Sequence, residues 1–136
     1  MSNSLPQEVY WALRDVSQSI RKRLHNKLAD WGLTWPQYHA LYHILDEGIP
    51  ANELARELNC NASNMTGLID RMIENNWVYR EHSQEDRRVW LIKLTDEGRN
   101  LRERMIPQYK RNIEKEMSVL SEEEMKQLLE LLKKLI

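Results

Sequence analysis

Apolar side chains recur every three or four residues at both ends of the chain. In residues 5–31 the apolar positions are Val9, Leu13, Val16, Ile20, Leu24, Leu28 and Trp31. Residues at this spacing lie along one face of an α-helix, so the pattern predicts one long amphipathic helix that ends at Gly32. The same periodicity predicts a long helix after Thr95, kinked at Pro107, and a last helix after Ser121.

Local signals mark the elements that follow Gly32. Thr34 and, three residues later, Gln37 form a capping box, the pattern of a helix N-terminus. This helix is predicted to run to about Glu47, with Gly48 in a left-handed conformation at its end. A short helix over residues 52–58 is expected next, because apolar residues again recur at helical spacing there.

The segment from Asn61 to about Asn75 predicts a further helix, which we call the recognition helix. Asn61 is placed to cap it, and Asn76 is expected to take a positive φ after it. Its apolar positions repeat with helical spacing: Met65, Leu68, Ile69, Met72 and Ile73. The period of the apolar positions then changes to two in residues 78–82 and 89–94. This pattern predicts two β-strands that form a hairpin, joined by the polar loop between them.

This order of elements predicts a mainly α fold with a small β-hairpin wing. A short helix, a turn, a second helix and a hairpin form a winged helix-turn-helix, in which the second helix of the motif enters the DNA major groove. The long terminal helices carry more apolar surface than such a small core needs. We therefore expect them to pack against each other and against a second copy of the chain.

Composition narrows the class of protein. A chain of 136 residues with 41% hydrophobic and 30% charged residues is typical of one folded domain. A single cysteine, no visible secretion signal and no membrane-length apolar run predict a cytoplasmic location without membrane association. The net charge of −1 argues against DNA binding by bulk charge. Residues 80–93, however, carry four basic against three acidic residues, so local charge at the hairpin still permits it.

Three stretches together resemble the MarR family of bacterial transcriptional regulators. They are LTWPQYHAL (33–41), ELARELNCNASNMTGLIDRMIENNWVYR (53–80) and EDRRVWLIKLTDEG (85–98). The hairpin pair Asp86 and Arg88, followed by a strand and then Leu-Thr-x-x-Gly, makes the resemblance specific. It covers nearly the whole chain.

The resemblance implies a single MarR-like domain over residues 1–136. Residues 33–98 would form the winged helix-turn-helix, and residues 5–31 and 99–136 the dimerisation helices. It further implies a homodimer that binds a palindromic operator in double-stranded DNA, usually as a repressor, and often a small phenolic or other hydrophobic acid as effector. The alternative is a winged-helix module that binds protein instead of DNA.

The predicted DNA-binding residues fall in two groups. The exposed side of the recognition helix carries Ser63, Asn64, Thr66, Gly67 and Arg71. Asparagine and hydroxyl side chains contact base edges or phosphates, but near a helix start they are also common caps, and both roles stay open for Ser63 and Asn64. Thr66 lies past the first turn, which favours DNA contact.

The hairpin supplies the second group: Arg80, Asp86, Arg87 and Arg88. The resemblance implies that Arg88 enters the minor groove and that Asp86 orients an arginine. The structural alternative is a surface ion pair that contributes little, ~0–1 kcal/mol. Arg80 and Arg87 are candidate phosphate contacts.

Candidate sensing residues are less distinctive. Trp11, Tyr38, His39, Tyr42 and Met105 could border an effector cavity, although aromatic residues at helical spacing are more often core. His39 and His43 have the spacing of two metal ligands, but two ligands do not make a site, and we predict neither metal nor cofactor. Cys60 is expected to be a buried apolar side chain. No nucleophile-base pair, carboxylate pair or metal motif points to an enzyme.

Overall fold

A computed structural model of the chain describes residues 2–136. Its elements, in chain order, are α1 (Leu5–Leu28) with a following 3-10 turn (Ala29–Trp31), α2 (Trp35–His43), β1 (Ile49–Pro50), α3 (Ala51–Glu57), α4 (Ala62–Glu74), β2 (Val78–His82), β3 (Trp90–Leu94), α5 (Asp96–Met117) and α6 (Glu122–Lys133). The mainly α fold with a small hairpin is therefore confirmed, and α4 is the predicted recognition helix.

Internal contacts divide the chain into two units. The winged-helix unit comprises residues 27–107, and the terminal-helix unit comprises residues 2–26 together with 108–136. In the winged-helix unit the core is built from α2, α3, α4, the sheet and the first half of α5. Its most deeply buried side chains are Leu41, Ile44, Leu54, Ile69, Met72, Val78, Ile92 and Met105.

The sheet has three antiparallel strands in the order β1-β3-β2. In the hairpin, Val78 is opposite Leu94 and His82 is opposite Trp90. The strand β1 was not predicted. It pairs through Ile49 opposite Ile92, and it is only two residues long, too short to show a period of two in the sequence.

The prediction that α2 runs to Glu47 was wrong, because α2 ends at His43. Ile44 has extended backbone angles and is fully buried in the core. Gly48 does have a positive φ of 91°, but it belongs to the turn before β1 and not to a helix end. A Cβ at Gly48 would lie 2.8 Å from Cγ of Lys93 on β3. The pairing of β1 with β3 thus overrides the helical pattern of the preceding segment.

Other local signals were predicted correctly. Gln37 N–H donates to Thr34 Oγ1 (3.3 Å) and Thr34 N–H donates to Gln37 Oε1 (2.9 Å), which completes the capping box. Asn76 has a φ of 62° directly after the recognition helix. Helix α5 includes Pro107, and the kink expected there stays a prediction.

In the terminal-helix unit, an ion pair joins the two long helices. Arg23 of α1 contacts Glu116 of α5, with Nη2 to Oε2 at 2.9 Å. The unit leaves many large apolar side chains exposed: Leu5, Val9, Leu13, Val16, Ile113, Leu128, Leu129, Leu131 and Leu135. None of the helices within residues 2–136 is long and apolar enough to cross a membrane.

Gly98, in the first turn of α5, is held by close backbone packing. A Cβ there would overlap the carbonyl oxygen of Trp77, which already accepts the backbone N–H of Thr95 at 3.0 Å and therefore cannot move freely.

We expect Gly98→Ala to lower the free energy of unfolding by about 2 kcal/mol, measured by urea denaturation. Gly67→Ala is the matched control, because its nearest atom is the flexible Nη1 of Arg71 at 3.4 Å. That variant should gain up to about 1 kcal/mol from helix propensity. Equal stability of the two variants would contradict the packing argument.

Candidate nucleic-acid interface

The recognition helix α4 buries one side and exposes the other. Asn61 caps it, since its Oδ1 accepts the backbone N–H of Asn64 at 2.8 Å. The stripe Met65, Leu68, Ile69 and Met72 is buried in the winged-helix core. The opposite side is exposed and presents Ser63, Asn64, Thr66, Asp70 and Arg71, with Gly67 half-buried between them.

The predicted DNA-contacting residues on α4 differ in how much of their hydrogen-bonding capacity is free. The capping role left open for Ser63 and Asn64 is carried by the side chain of Asn61 instead. The Thr66 hydroxyl donates to Ala62 O within the helix at 3.0 Å, which occupies its only donor. Asn64 is therefore better equipped than Thr66 to donate to a base edge.

An ion pair joins one flank of α4 to the hairpin, which forms the wing. Nη2 of Arg80 on β2 donates to Oδ1 of Asp70 on α4 at 2.7 Å. Arg80 was predicted as a phosphate contact, but its contact within this unit is with Asp70. The pairing joins two elements through tertiary structure, and no local sequence signal could have revealed it.

The wing tip presents an arginine in a defined orientation. Nε and Nη2 of Arg88 donate to the two carboxylate oxygens of Asp86 at 3.1 and 3.2 Å, and the Arg88 backbone N–H also donates to Oδ1 at 3.1 Å. The Arg88 side chain is nevertheless 90% exposed. This geometry leaves part of the guanidinium open to another acceptor, and the orienting role of Asp86 stays a prediction. Arg87 is also exposed at the tip.

The other flank of α4 borders a cleft next to the start of α2. Its volume is about 490 Å³, and it is lined by Trp35, Pro36, His39, Leu58, Cys60, Ser63, Asn64, Gly67, Leu68 and Arg71. The rings of Trp35 and His39 are stacked with their centroids 5.1 Å apart. Burial, followed by the charge of His43, lowers the pKa of His39, so this ring is mostly neutral near pH 7.

The five predicted effector residues do not come together in this cleft. His39 lines it, whereas Tyr38 and Met105 are buried in the core of the winged-helix unit and Tyr42 is exposed. Trp11 belongs to the terminal-helix unit. The effector assignment stays a prediction.

The side chains considered as metal ligands or sensors have ordinary contacts. The rings of His39 and His43 lie 4.7 Å apart, and His43 Nδ1 is 3.8 Å from Glu57 Oε2. Among residues 2–136 there is no group of three histidine, cysteine, aspartate or glutamate side chains placed to hold a metal ion. Cys60 is half-buried, not buried as expected, and its thiol donates to Asn61 O at 3.4 Å. The reason is that Cys60 lies at the edge of the cleft and not in the core.

A capped recognition helix with a polar outer face, flanked by a wing with an exposed arginine, defines a winged helix-turn-helix DNA-binding protein. Residues 33–90 match the family model of the MarR family. The winged helix-turn-helix segment of the chain is therefore similar to this family of transcriptional regulators.

Individual relatives agree with this assignment. The HTH-type transcriptional repressor YetL of Bacillus subtilis is 29% identical over 120 residues, covering 86% of this chain and 72% of YetL. A MarR-like transcription regulator from Bacillus cereus has a TM-score of 0.82 at 25% identity, covering 95% of this chain and 94% of that structure. A mutant MarR from E. coli, solved with operator DNA, has a TM-score of 0.77 at 25% identity, covering 98% and 99% of the two chains.

The ion pair at the wing tip should be visible in a titration. The hydrogen bonds from Arg88 lower the pKa of Asp86 below its usual value. The stabilisation from the pair is therefore present above the usual aspartate pKa and is lost as the pH falls through the lowered value. We expect Arg88→Ala to raise the pKa of Asp86 towards the usual value. The titration is measured from the NMR chemical shift of the Asp86 carboxyl carbon as a function of pH. An Asp86 titration midpoint that does not change in this variant would rule out the pair in solution.

Proposed function

We propose that the protein is a homodimeric repressor that binds a palindromic operator in double-stranded DNA, with α4 in the major groove and the wing tip in the minor groove. The observation that carries this proposal is Arg88, whose guanidinium projects from the tip while Asp86 holds its orientation. An arginine that is already oriented loses less side-chain entropy on binding than a freely rotating one.

The recognition helix provides the chemistry for the major groove. Asn64 offers an amide that can bond both N6 and N7 of adenine, and Arg71 offers a guanidinium that can bond guanine or phosphate. Gly67 has no side chain, so the helix backbone can approach the base edges closely. Ser63 adds a hydroxyl group that suits either a base edge or a phosphate. The hydroxyl oxygen of Thr66, whose proton is donated to Ala62 O, can accept from the amino group of a base.

The wing suits the minor groove. This groove is about 6 Å wide in B-DNA, and it narrows in A·T-rich stretches, where the negative potential attracts arginine. Arg87 and Arg88 are adjacent at the tip, so one can enter the groove while the other contacts phosphate. Arg80, which is paired with Asp70, fixes the wing beside α4.

Homodimer formation is supported by the apolar surface of the terminal-helix unit. Leu5, Val16 and Leu131 are each more than half exposed in the single chain, which is unfavourable for a protein that remains monomeric. A two-fold dimer presents two recognition helices, so half-sites about 10 base pairs apart are expected. Such a dimer would act in the cytoplasm, where its operator DNA lies.

Repression and its release by a small phenolic or hydrophobic acid complete the proposal. YetL, the relative described above, is named as a repressor. The candidate effector residues remain Trp11, Tyr38, His39, Tyr42 and Met105. An effector can act only if it binds the dimer more tightly at one spacing of the two recognition helices than at another. A ligand with equal affinity for both spacings does not shift the equilibrium between them.

The role of the wing arginine is tested by Arg88→Ala. We expect operator binding to weaken by about 1–3 kcal/mol, and the slope of log K against log salt to fall by about 1, measured by fluorescence anisotropy on a site selected from random oligonucleotides. Arg88→Lys should recover the slope but not the full affinity, because lysine lacks the guanidinium fork. Lys110→Ala, which removes an exposed charge from α5 outside the wing, is the control. Unchanged affinity of the Arg88 variants would remove the wing from the mechanism, and binding that ignores both sequence and salt would favour a protein partner.

The role of α6 in dimer formation is tested by truncation after Leu120. We expect the truncated chain to sediment as a monomer, because the exposed leucines of α6 are lost. Leu131→Asp is the companion variant, since this side chain is 59% exposed and a charge there should leave the protomer folded. A stable dimer in both variants would show that α6 does not hold the subunits together.

A further inference from the structure

The wing carries an exposed aromatic pair that the DNA-binding proposal does not use. The rings of His82 and Trp90 are stacked, with centroids 3.7 Å apart and planes inclined by 27°. They form the last register pair of the hairpin before the tip loop. Trp90 is 44% exposed, and His82 is also exposed.

This pair lies on the same face of the hairpin as the contact with α4. Alternate residues of a strand share a face, so His82 is on the side of Val78 and Arg80, and Trp90 is on the side of Ile92 and Leu94. Val78, Ile92 and Leu94 are buried in the core, and Arg80 reaches Asp70 of α4. The aromatic pair therefore extends the sheet face that borders the recognition helix.

Stability of the hairpin alone does not require so large an exposed surface at this position. The hairpin is already anchored at its other end, where Val78 opposite Leu94 is buried. The aromatic pair lies beyond that core, and Trp90 is two residues from Arg88. Its neighbours at the tip are Arg87 and Arg88, whose guanidinium groups can donate to phosphate although Glu85 and Asp86 balance their charge.

We propose that the His82–Trp90 stack is a second DNA contact of the wing, packing against the deoxyribose-phosphate backbone at the edge of the minor groove that Arg88 enters. Arg88 lies in the turn before β3, and two residues of extended chain span at most about 7 Å, so Trp90 lies within about 7 Å of Arg88 from Cα to Cα, close to the groove's own width. The ring face of Trp90 would cover the apolar C–H groups of a sugar, and a ring N–H of His82 would donate to an adjacent phosphate. This inference rests on the proposed insertion of the wing.

The proposed contact explains how a chain with a net charge of −1 could bind DNA. An apolar contact with the sugar gains affinity through buried surface and releases no counterion. The affinity that it contributes should therefore be nearly independent of salt, in contrast to the contribution of Arg88.

The first test compares Trp90→Ala with Tyr79→Ala. Tyr79 is a matched control, because it is an equally exposed aromatic residue (43%) of the same hairpin, on strand β2 and on the opposite face of the hairpin from Trp90. We expect Trp90→Ala to weaken operator binding about tenfold with an unchanged salt slope, and Tyr79→Ala to leave affinity unchanged. If the salt slope of Trp90→Ala also falls by about 1, as expected for Arg88→Ala, then Trp90 only positions the tip. That result would overturn the proposal.

The second test observes Trp90 in the intact protein. The full chain is labelled with 5-fluorotryptophan, and the Trp90 resonance is assigned by its absence in Trp90→Phe. On addition of operator DNA, we expect this fluorine signal to shift and to lose its sensitivity to exchange of H₂O for D₂O. If Arg88→Ala weakens binding but the Trp90 signal stays sensitive to solvent, the aromatic contact is refuted and the proposed function stands. If Arg88→Ala has no effect and Trp90 stays exposed, the wing does not engage DNA, and this inference fails together with the wing's part in the proposed function.

Discussion

The proposed DNA-facing surface depends on the one-sided burial of α4. Met65, Leu68, Ile69 and Met72 lie in the core of the winged-helix unit, and full burial of one such side chain is worth about 1.5–3 kcal/mol. An exposed ion pair contributes only about 0–1 kcal/mol, so the apolar stripe decides how the helix is rotated about its axis. The polar side is then left facing outward without having to stabilise the fold. Ser63, Asn64 and Arg71 are therefore exposed and available for the proposed contacts with DNA.

The wing, like α4, is positioned by buried apolar residues and not by its surface charges. Its position is set by strand pairing and by the burial of Val78, Ile92 and Leu94. Two of the ion pairs on it lie at the surface and contribute little to stability, but each fixes a direction. Arg80 with Asp70 ties the hairpin to α4, and Asp86 holds the guanidinium of Arg88 at the tip. The buried core therefore sets the position of the wing, and these weak ion pairs orient the side chains on it.

Net charge is a poor guide to function in this protein. Acidic and basic residues nearly balance over the chain, yet exposed arginines lie together at the wing tip and on α4. Affinity for DNA must then depend on where charges lie and on contacts that involve no charge. The match of residues 33–90 to the MarR family model and the likeness to a regulator solved with operator DNA agree with a surface of this kind.

The amino-acid sequence alone determined the order of the elements and most of their boundaries, because caps, left-handed residues and apolar periods act within a few residues. Thr34 with Gln37, Asn61 and Asn76 are such local signals, and the structure has them as predicted. Only the tertiary structure decided where α2 ends, because Ile44 is drawn into the core and Ile49 pairs with a strand more than forty residues away. It also decided the pairing of Arg80 with Asp70 and the division of the predicted effector residues between core and surface. These outcomes depend on which segments distant in the sequence come into contact. The spacing of apolar residues within a single helix or strand does not specify those contacts.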